Sequence, residues 1–267
     1  MFELLSAGYK TERGFMKKGE IYEGIIEKVE FPNKGFVWVD DQKVIVKNGI
    51  PGQKVRFMIN KKRSGRAEGR LLEVLEKSPL ETREPACQEF PACGGCMYQT
   101  MSYEAQKEMK ERQVRELLDG AVKESLAKIG KNGDGTEEAE AADHLYHWDG
   151  IYGSPIEFGY RNKMEFSFGD EVKDGPLSLG MHKRGSFHDI VTVDGCRIVD
   201  EDYSKILRGV LDFFTERQVP FYHKMGHVGY LRHLLVRRAV KTGEILVDLV
   251  TSTQREYLGG RDEAAVL

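Results

Sequence analysis

Three of the chain's four cysteines cluster as Cys87-x5-Cys93-Gly-Gly-Cys96, and the fourth, Cys196, stands alone in Val193-Asp-Gly-Cys196-Arg. Thiolates are soft ligands that favour zinc, copper(I) or iron–sulfur clusters. Gly94 and Gly95 let the backbone wrap closely around a bound centre and aim N–H groups at the sulfurs. A structural zinc site more often pairs two Cys-x2-Cys knuckles. Here one knuckle carries an extra upstream cysteine and the fourth ligand is remote, a spacing that leans toward [4Fe–4S]. A four-cysteine zinc site stays open as an alternative. So does a redox-active Cys-Gly-Gly-Cys ahead of a helix, whose N-terminus lowers a thiol pKa. Taken alone, Cys196 reads as a core residue. Its role as a ligand rests on the count, because the trio needs a fourth thiol and no other cysteine exists.

Two stretches could meet phosphates. From Gln42 to Ala67 there is no acidic residue, and the loop Lys61-Lys62-Arg63-Ser-Gly-Arg66 concentrates four cations, a pattern suited to RNA. Phe36 and Trp38 nearby offer ring faces for unpaired bases, although core packing is the plainer reading. A second acid-free stretch, Arg217 to Gly243, holds Arg232, Arg237 and Arg238 with His223, His227 and His233. Arginine suits forked contacts with phosphates and bases. The histidine spacing matches no ligand motif, so solvated or RNA-facing imidazoles are expected.

These residues need elements to position them. Ile21–Val29, Gly35–Val39, Lys43–Lys47, Val55–Ile59 and Gly69–Leu75 read as short strands, punctuated by Pro32-Asn33, Asp40-Asp41, Asn48-Gly49 and Pro51-Gly52. Five strands in so short a span predict a small OB-like barrel over residues 1–78. Ser102 is placed to cap a helix whose Val114, Leu117, Leu118 and Ala121 share one face. The acidic stretch 130–150 reads as a loop. Strand patterns follow over 158–168, 177–182, 187–194, 227–240 and 244–252, interrupted by an amphipathic helix near 202–218. The fold class is therefore α+β. The barrel is followed by residues 79–267 as a mainly antiparallel α/β central domain: cysteine segment and helix 85–122, loop 130–150, sheet 151–267.

Composition sets the bounds. The 267 residues are 40% hydrophobic and 31% charged, ordinary globular material with a net charge of −3. Residues 1–78 carry 16 Lys/Arg against 11 Asp/Glu, so a basic first part precedes an acidic remainder. No apolar run reaches membrane-spanning length, and the N-terminus lacks the regions of a signal peptide. A cytoplasmic monomer is expected, and cytosolic cysteines read as ligands or reactive thiols rather than disulfides.

Taken together, these segments resemble the RNA (uracil-5-)-methyltransferases that carry a TRAM domain and an iron–sulfur cluster, the RumA-like group. The resemblance runs from about Lys18 to about Ser252. The barrel looks like a TRAM domain, an RNA-binding module. Cys87-x5-Cys93-Gly-Gly-Cys96-x2-Gln99 is similar to the family's cluster signature, and Cys196 falls where the family places its fourth ligand. Tyr160-Arg-Asn-Lys-Met-Glu-Phe166 and Leu231-Arg-His-Leu-Leu-Val-Arg237 match two further segments. The resemblance implies a [4Fe–4S] cluster on Cys87, Cys93, Cys96 and Cys196, with Arg161, Lys163 and Arg232 facing RNA. It implies a 23S ribosomal RNA substrate, transfer RNA being the other option. It also implies covalent chemistry: a cysteine thiolate adds to C6 of a flipped-out uracil, C5 takes a methyl group from S-adenosylmethionine, and a carboxylate removes the C5 proton. Four cysteines assigned to a cluster leave no such nucleophile, and no Gly-rich strand-to-helix turn of a Rossmann-type domain is evident. The expectation is the N-terminal portion of such an enzyme, which binds RNA, with the catalytic cysteine and methyl-donor site beyond Leu267. A free-standing RNA-binding module with a structural zinc is the alternative. A radical S-adenosylmethionine enzyme fits less well, because it uses Cys-x3-Cys-x2-Cys and leaves one iron open.

Overall fold

The computed structural model describes residues 16–63, 66–130 and 146–258. The chain forms two compact units, one from Met1–Thr82 with Glu104–Gly150, the other from Arg83–Tyr103 with Ile151–Leu267. Ser64-Gly65, most of the 130–150 stretch expected as a loop, and the tail after Leu258 lie outside the described residues.

In the first unit six strands form one sheet: β1 Ile21–Ile25, β2 Lys28–Glu30, β3 Lys34–Val39, β4 Gln42–Lys47, β5 Lys54–Arg63 and β6 Arg66–Glu76. Their order is β1-β5-β6-β4-β3-β2, antiparallel except for the β4–β6 pair. The period-two pattern sets the inner face, because successive side chains of a strand point to opposite sides. Val55, Phe57 and Ile59 on β5 are all fully buried, as are Val37, Val44 and Val46. Asp40 and Asp41 both adopt positive φ, 47° and 61°, as a two-residue hairpin turn of the primed type requires. The sheet curls because glycines let its strands approach. A Cβ on Gly24 of β1 would stand 2.3 Å from Val37 Cγ1 on β3, and one on Gly69 would stand 2.5 Å from the Phe57 ring. The result is a mixed, half-closed barrel with six strands rather than the five read from the sequence.

Helix α1 runs Tyr103–Gly130. Its buried positions are Met109 and Gln113, and the Gln113 side-chain amide donates to the Val29 carbonyl at 2.8 Å. This corrects the expected helix face: Leu117 and Leu118 are exposed and Ala121 is not buried. Apolar periodicity marks a face, but only a covering partner buries it, and the contact here is made one to two turns earlier.

The second unit holds β7 Lys163–Asp170, β8 Leu177–His182, β9 Ile190–Thr192, β10 Leu231–Arg238 and β11 Ile245–Thr251. They form an antiparallel sheet in the order β11-β10-β7-β8-β9. Met164, Phe166 and Phe168 alternate onto one face with Leu234 and Val236. Helix α2, Glu201–Glu216, covers that face with Tyr203, Leu207, Leu211 and Phe214, spaced as one helical stripe. Asp200 caps it by accepting from the Asp202 N–H at 3.1 Å. Both units together make the chain α+β.

Three expected strands begin late, among them β9, which starts at Ile190 rather than 187. β7 starts at Lys163 rather than 158, because Gly159 takes a positive φ of 65° and its N–H donates to the Arg197 carbonyl. Arg161 N–H donates to the Ile198 carbonyl at 2.9 Å. The Tyr160-Arg161 segment is thus tied to the loop that carries Cys196 instead of to the sheet. β10 starts at Leu231 rather than 227, because the His227 N–H turns back onto the His223 carbonyl at 2.8 Å.

Candidate functional site

The cysteine trio lies on a turn-rich segment held against the end of β8. Gly94 N–H donates to the His182 carbonyl at 2.9 Å, and Arg184 N–H donates to the Ala92 carbonyl at 2.7 Å. A Cβ on Gly94 would stand 2.9 Å from that His182 oxygen, so the approach needs glycine. Within the segment, Cys93 N–H donates to the Glu89 carbonyl at 2.8 Å, and the Cys87 N–H donates to Gln99 Oε1 at 3.1 Å. Cys196 arrives from the loop between β9 and α2, where its N–H closes a turn onto the Val193 carbonyl.

Cys87, Cys93, Cys96 and Cys196 line one cavity of about 40 Å³, walled by Phe90, Met164, Met181 and Ile198. All four thiols are free and partly buried. Burial pushes the Cys93 thiol up, opposed by the Gly95 N–H that donates to its Sγ at 3.3 Å. Burial likewise pushes Cys196 up, opposed by the Ile198 N–H. At both, the neighbouring thiols raise the value further. Four thiols crowded in an apolar pocket are costly as thiolates unless a cation binds among them. Arg184 supplies one fixed positive charge: it donates to the Cys96 carbonyl, lies over the Phe90 ring at 5.2 Å, and faces Cys93 and Cys96. Nothing in Lys183-Arg184-Gly185 signalled that role, since only the pairing of 92–94 with 182–184 brings Arg184 to the sulfurs.

Among the described residues, no group of three or more His, Cys, Asp or Glu side chains is placed to hold a metal ion. The sulfurs stand around a space instead. Soft donors, an N–H aimed at a sulfur and an apolar wall are the groups a polynuclear iron–sulfur cluster uses.

Each unit carries some of the expected cationic residues. Lys61 and Lys62 at the end of β5 and Arg66 at the start of β6 are exposed at a hairpin end, with Arg63 paired in register with Arg66. Lys61 lies 3.6 Å from Glu68, and Lys62 Nζ donates to the Met16 carbonyl at 3.2 Å. In the second unit Arg161 lines the cysteine cavity and donates to the Lys163 carbonyl at 3.1 Å. Lys163 lines an open depression with Arg237 and Arg238, and pairs with Glu165 at 3.3 Å. Arg232 sits over the Tyr222 ring at 5.0 Å in a third place. Phe36 is buried with Lys43 Nζ 3.4 Å above its ring, whereas Trp38 is half exposed.

Proteins similar to this chain are named RNA methyltransferases. No family profile matches it. It is 44% identical over 242 residues to an uncharacterized RNA methyltransferase of Clostridium tetani, covering 91% of this chain and 48% of that protein. It is 42% identical to one of Clostridium acetobutylicum (91% and 48%) and 40% identical to one of Caldanaerobacter subterraneus (91% and 49%). The chain thus spans about half the length of the curated relatives it matches. In fold it is similar to the Pyrococcus abyssi tRNA (uracil-54, C5)-methyltransferase, solved in complex with S-adenosyl-L-homocysteine. That match has a TM-score of 0.55 and 20% identity, over 90% of this chain and 49% of that one.

Proposed function

We propose that the chain is the RNA-recognising, cluster-binding part of an S-adenosylmethionine-dependent RNA (uracil-C5)-methyltransferase. The observation that carries this reading is Cys196 beside Cys87, Cys93 and Cys96 at one cavity, in a chain whose relatives are named RNA methyltransferases. In this reading the four thiolates hold a [4Fe–4S] cluster that ties the cysteine segment to the β9–α2 loop, with Arg184 offsetting its charge. The spacing, a clustered trio with a remote fourth cysteine, is the ground for a cluster over a lone zinc. The half-closed barrel is a TRAM-like RNA module, with Lys61, Lys62, Arg63 and Arg66 at its hairpin end meeting phosphates. Arg161, Lys163 and Arg232 meet RNA on the second unit. The substrate is 23S ribosomal RNA, and the protein works as a cytoplasmic monomer.

S-adenosylmethionine supplies the methyl group in such enzymes. With all four cysteines holding the proposed cluster, no thiol of this chain is left to add to uracil C6. The chain alone therefore binds RNA without methylating it. Two assays test this on the 267-residue chain. Titration with a uridine-containing RNA fragment at several salt concentrations should give binding whose salt slope falls by about 1.4 in a Lys61→Ala/Lys62→Ala variant, about 0.7 for each phosphate contact to a single strand. Incubation with methyl-labelled S-adenosylmethionine and the same RNA should leave the RNA unlabelled. An unchanged salt slope contradicts the hairpin contact, and label in the RNA contradicts the cysteine assignment.

A further inference from the structure

A second cavity, of about 130 Å³, lies in the second unit beside Ser167, His182 and His233. These residues alternate with Phe166, Met181 and Leu234 and so belong to the sheet face turned away from α2. The cavity's other walls are the β8–β9 loop, with Phe187 and His188, and the segment Phe221–Met225 ahead of β10.

Three features of this cavity are unexplained by folding. Phe187 and Met225, which line it, are 87% and 85% exposed, two large apolar side chains held in water. Lys224 and Arg232 bring two cations to the same cavity, and Asp170 is the one carboxylate among its described lining residues. His182 Nδ1 is buried with no hydrogen-bond partner, which is costly for a polar nitrogen unless a ligand or water completes it. Burial, then Lys224 and His188, push the His182 imidazole down, and burial pushes His233 down as well. Neutral imidazoles present one donor and one acceptor each, and His233 already shares a hydrogen bond with Ser167 Oγ at 3.3 Å.

Cations alone would suit any polyanion, and exposed apolar side chains alone would suit a protein partner. A planar apolar face over a floor of neutral donors and acceptors, with two cations alongside, suits a heterocyclic base joined to a phosphate. The volume admits one base and no duplex. We propose that this cavity binds one unpaired nucleotide of the RNA, with its base against Phe187, its edge toward His182 and its phosphate on Lys224 and Arg232. The proposal rests on the RNA reading above and adds a place and a strandedness to it.

Photocrosslinking with a short single-stranded RNA carrying 5-iodouridine, together with binding titrations, tests it. Phe187 and Lys224 are exposed, so Phe187→Ala and Lys224→Ala should leave the fold intact, as circular dichroism will check. The expected results are a crosslink within 187–188 or 221–225, an affinity about fivefold or more weaker in Phe187→Ala, and a salt slope shallower by about 0.7 in Lys224→Ala. A duplex of the same sequence should compete poorly. If the wild-type chain binds the RNA but crosslinks elsewhere and both variants bind as it does, the subsite is wrong and the RNA reading stands. Equal competition by the duplex overturns the unpaired base. No binding of RNA by the wild-type chain overturns both readings.

Discussion

At the scale of single residues, the chain's chemistry is set by what surrounds each titratable group. Cys93 and Cys196 differ from solvent-exposed thiols because an apolar wall raises them while Gly95 and Ile198 N–H groups lower them. At Tyr22 in the barrel the causes all act in one direction. Burial first, then its hydrogen bond to Glu20 Oε2 at 2.7 Å, push its phenol up to about 12. In the unfolded chain a tyrosine titrates near about 10. The folded state therefore holds this proton more tightly. That contribution is complete below about pH 10 and is lost as the pH rises from there through about 12. Urea midpoints measured between about pH 9 and about pH 12 should fall more steeply for the wild type than for Tyr22→Phe. Parallel curves would show that the Tyr22–Glu20 contact does not hold the proton. The cysteine trio and the lone Cys196 were legible in the sequence because spacing and count are local facts. Arg184 was not, since its charge reaches the sulfurs only through the pairing of two segments far apart in the chain.

At the scale of elements, an alternating or helical pattern marks a buried face where a partner covers it. The alternation of Val55, Phe57 and Ile59 reads directly as a buried strand face. The stripe Tyr203, Leu207, Leu211 and Phe214 reads as the face α2 turns to the sheet. Leu207 is fully buried at its middle. Leu207→Ala should cost about 2–5 kcal/mol in urea unfolding followed by circular dichroism, through lost transfer energy and the cavity left behind. A loss below about 1 kcal/mol would mean the helix is not seated there. The pattern misled in α1, where Val114, Leu117, Leu118 and Ala121 share a face that the described structure leaves largely exposed. Beside Met109, a polar residue, Gln113, anchors α1 by satisfying the Val29 carbonyl. Hydrophobic periodicity carries no signal for such a contact. The late start of β7 has a similar origin: Tyr160-Arg161 has strand-like neighbours in sequence, yet its hydrogen bonds go to the Cys196 loop.

At the scale of the whole molecule, the chain joins a half-closed barrel unit to a sheet-and-helix unit that carries the cysteine cavity. Curated relatives match it over about half of their length. Its proposed role is recognition of RNA, with the four thiols committed to one centre. Under that proposal Arg184 offsets the charge of the bound centre and no thiol is left to attack uracil. The direct test is iron and sulfide analysis of the chain purified without oxygen, beside its Cys196→Ser variant. A cluster on these thiols requires about four irons and about four sulfides per wild-type chain, and a large loss of both, with their visible absorption, in the variant. One zinc and no iron in the wild type, or a full complement of iron kept by Cys196→Ser, would contradict it.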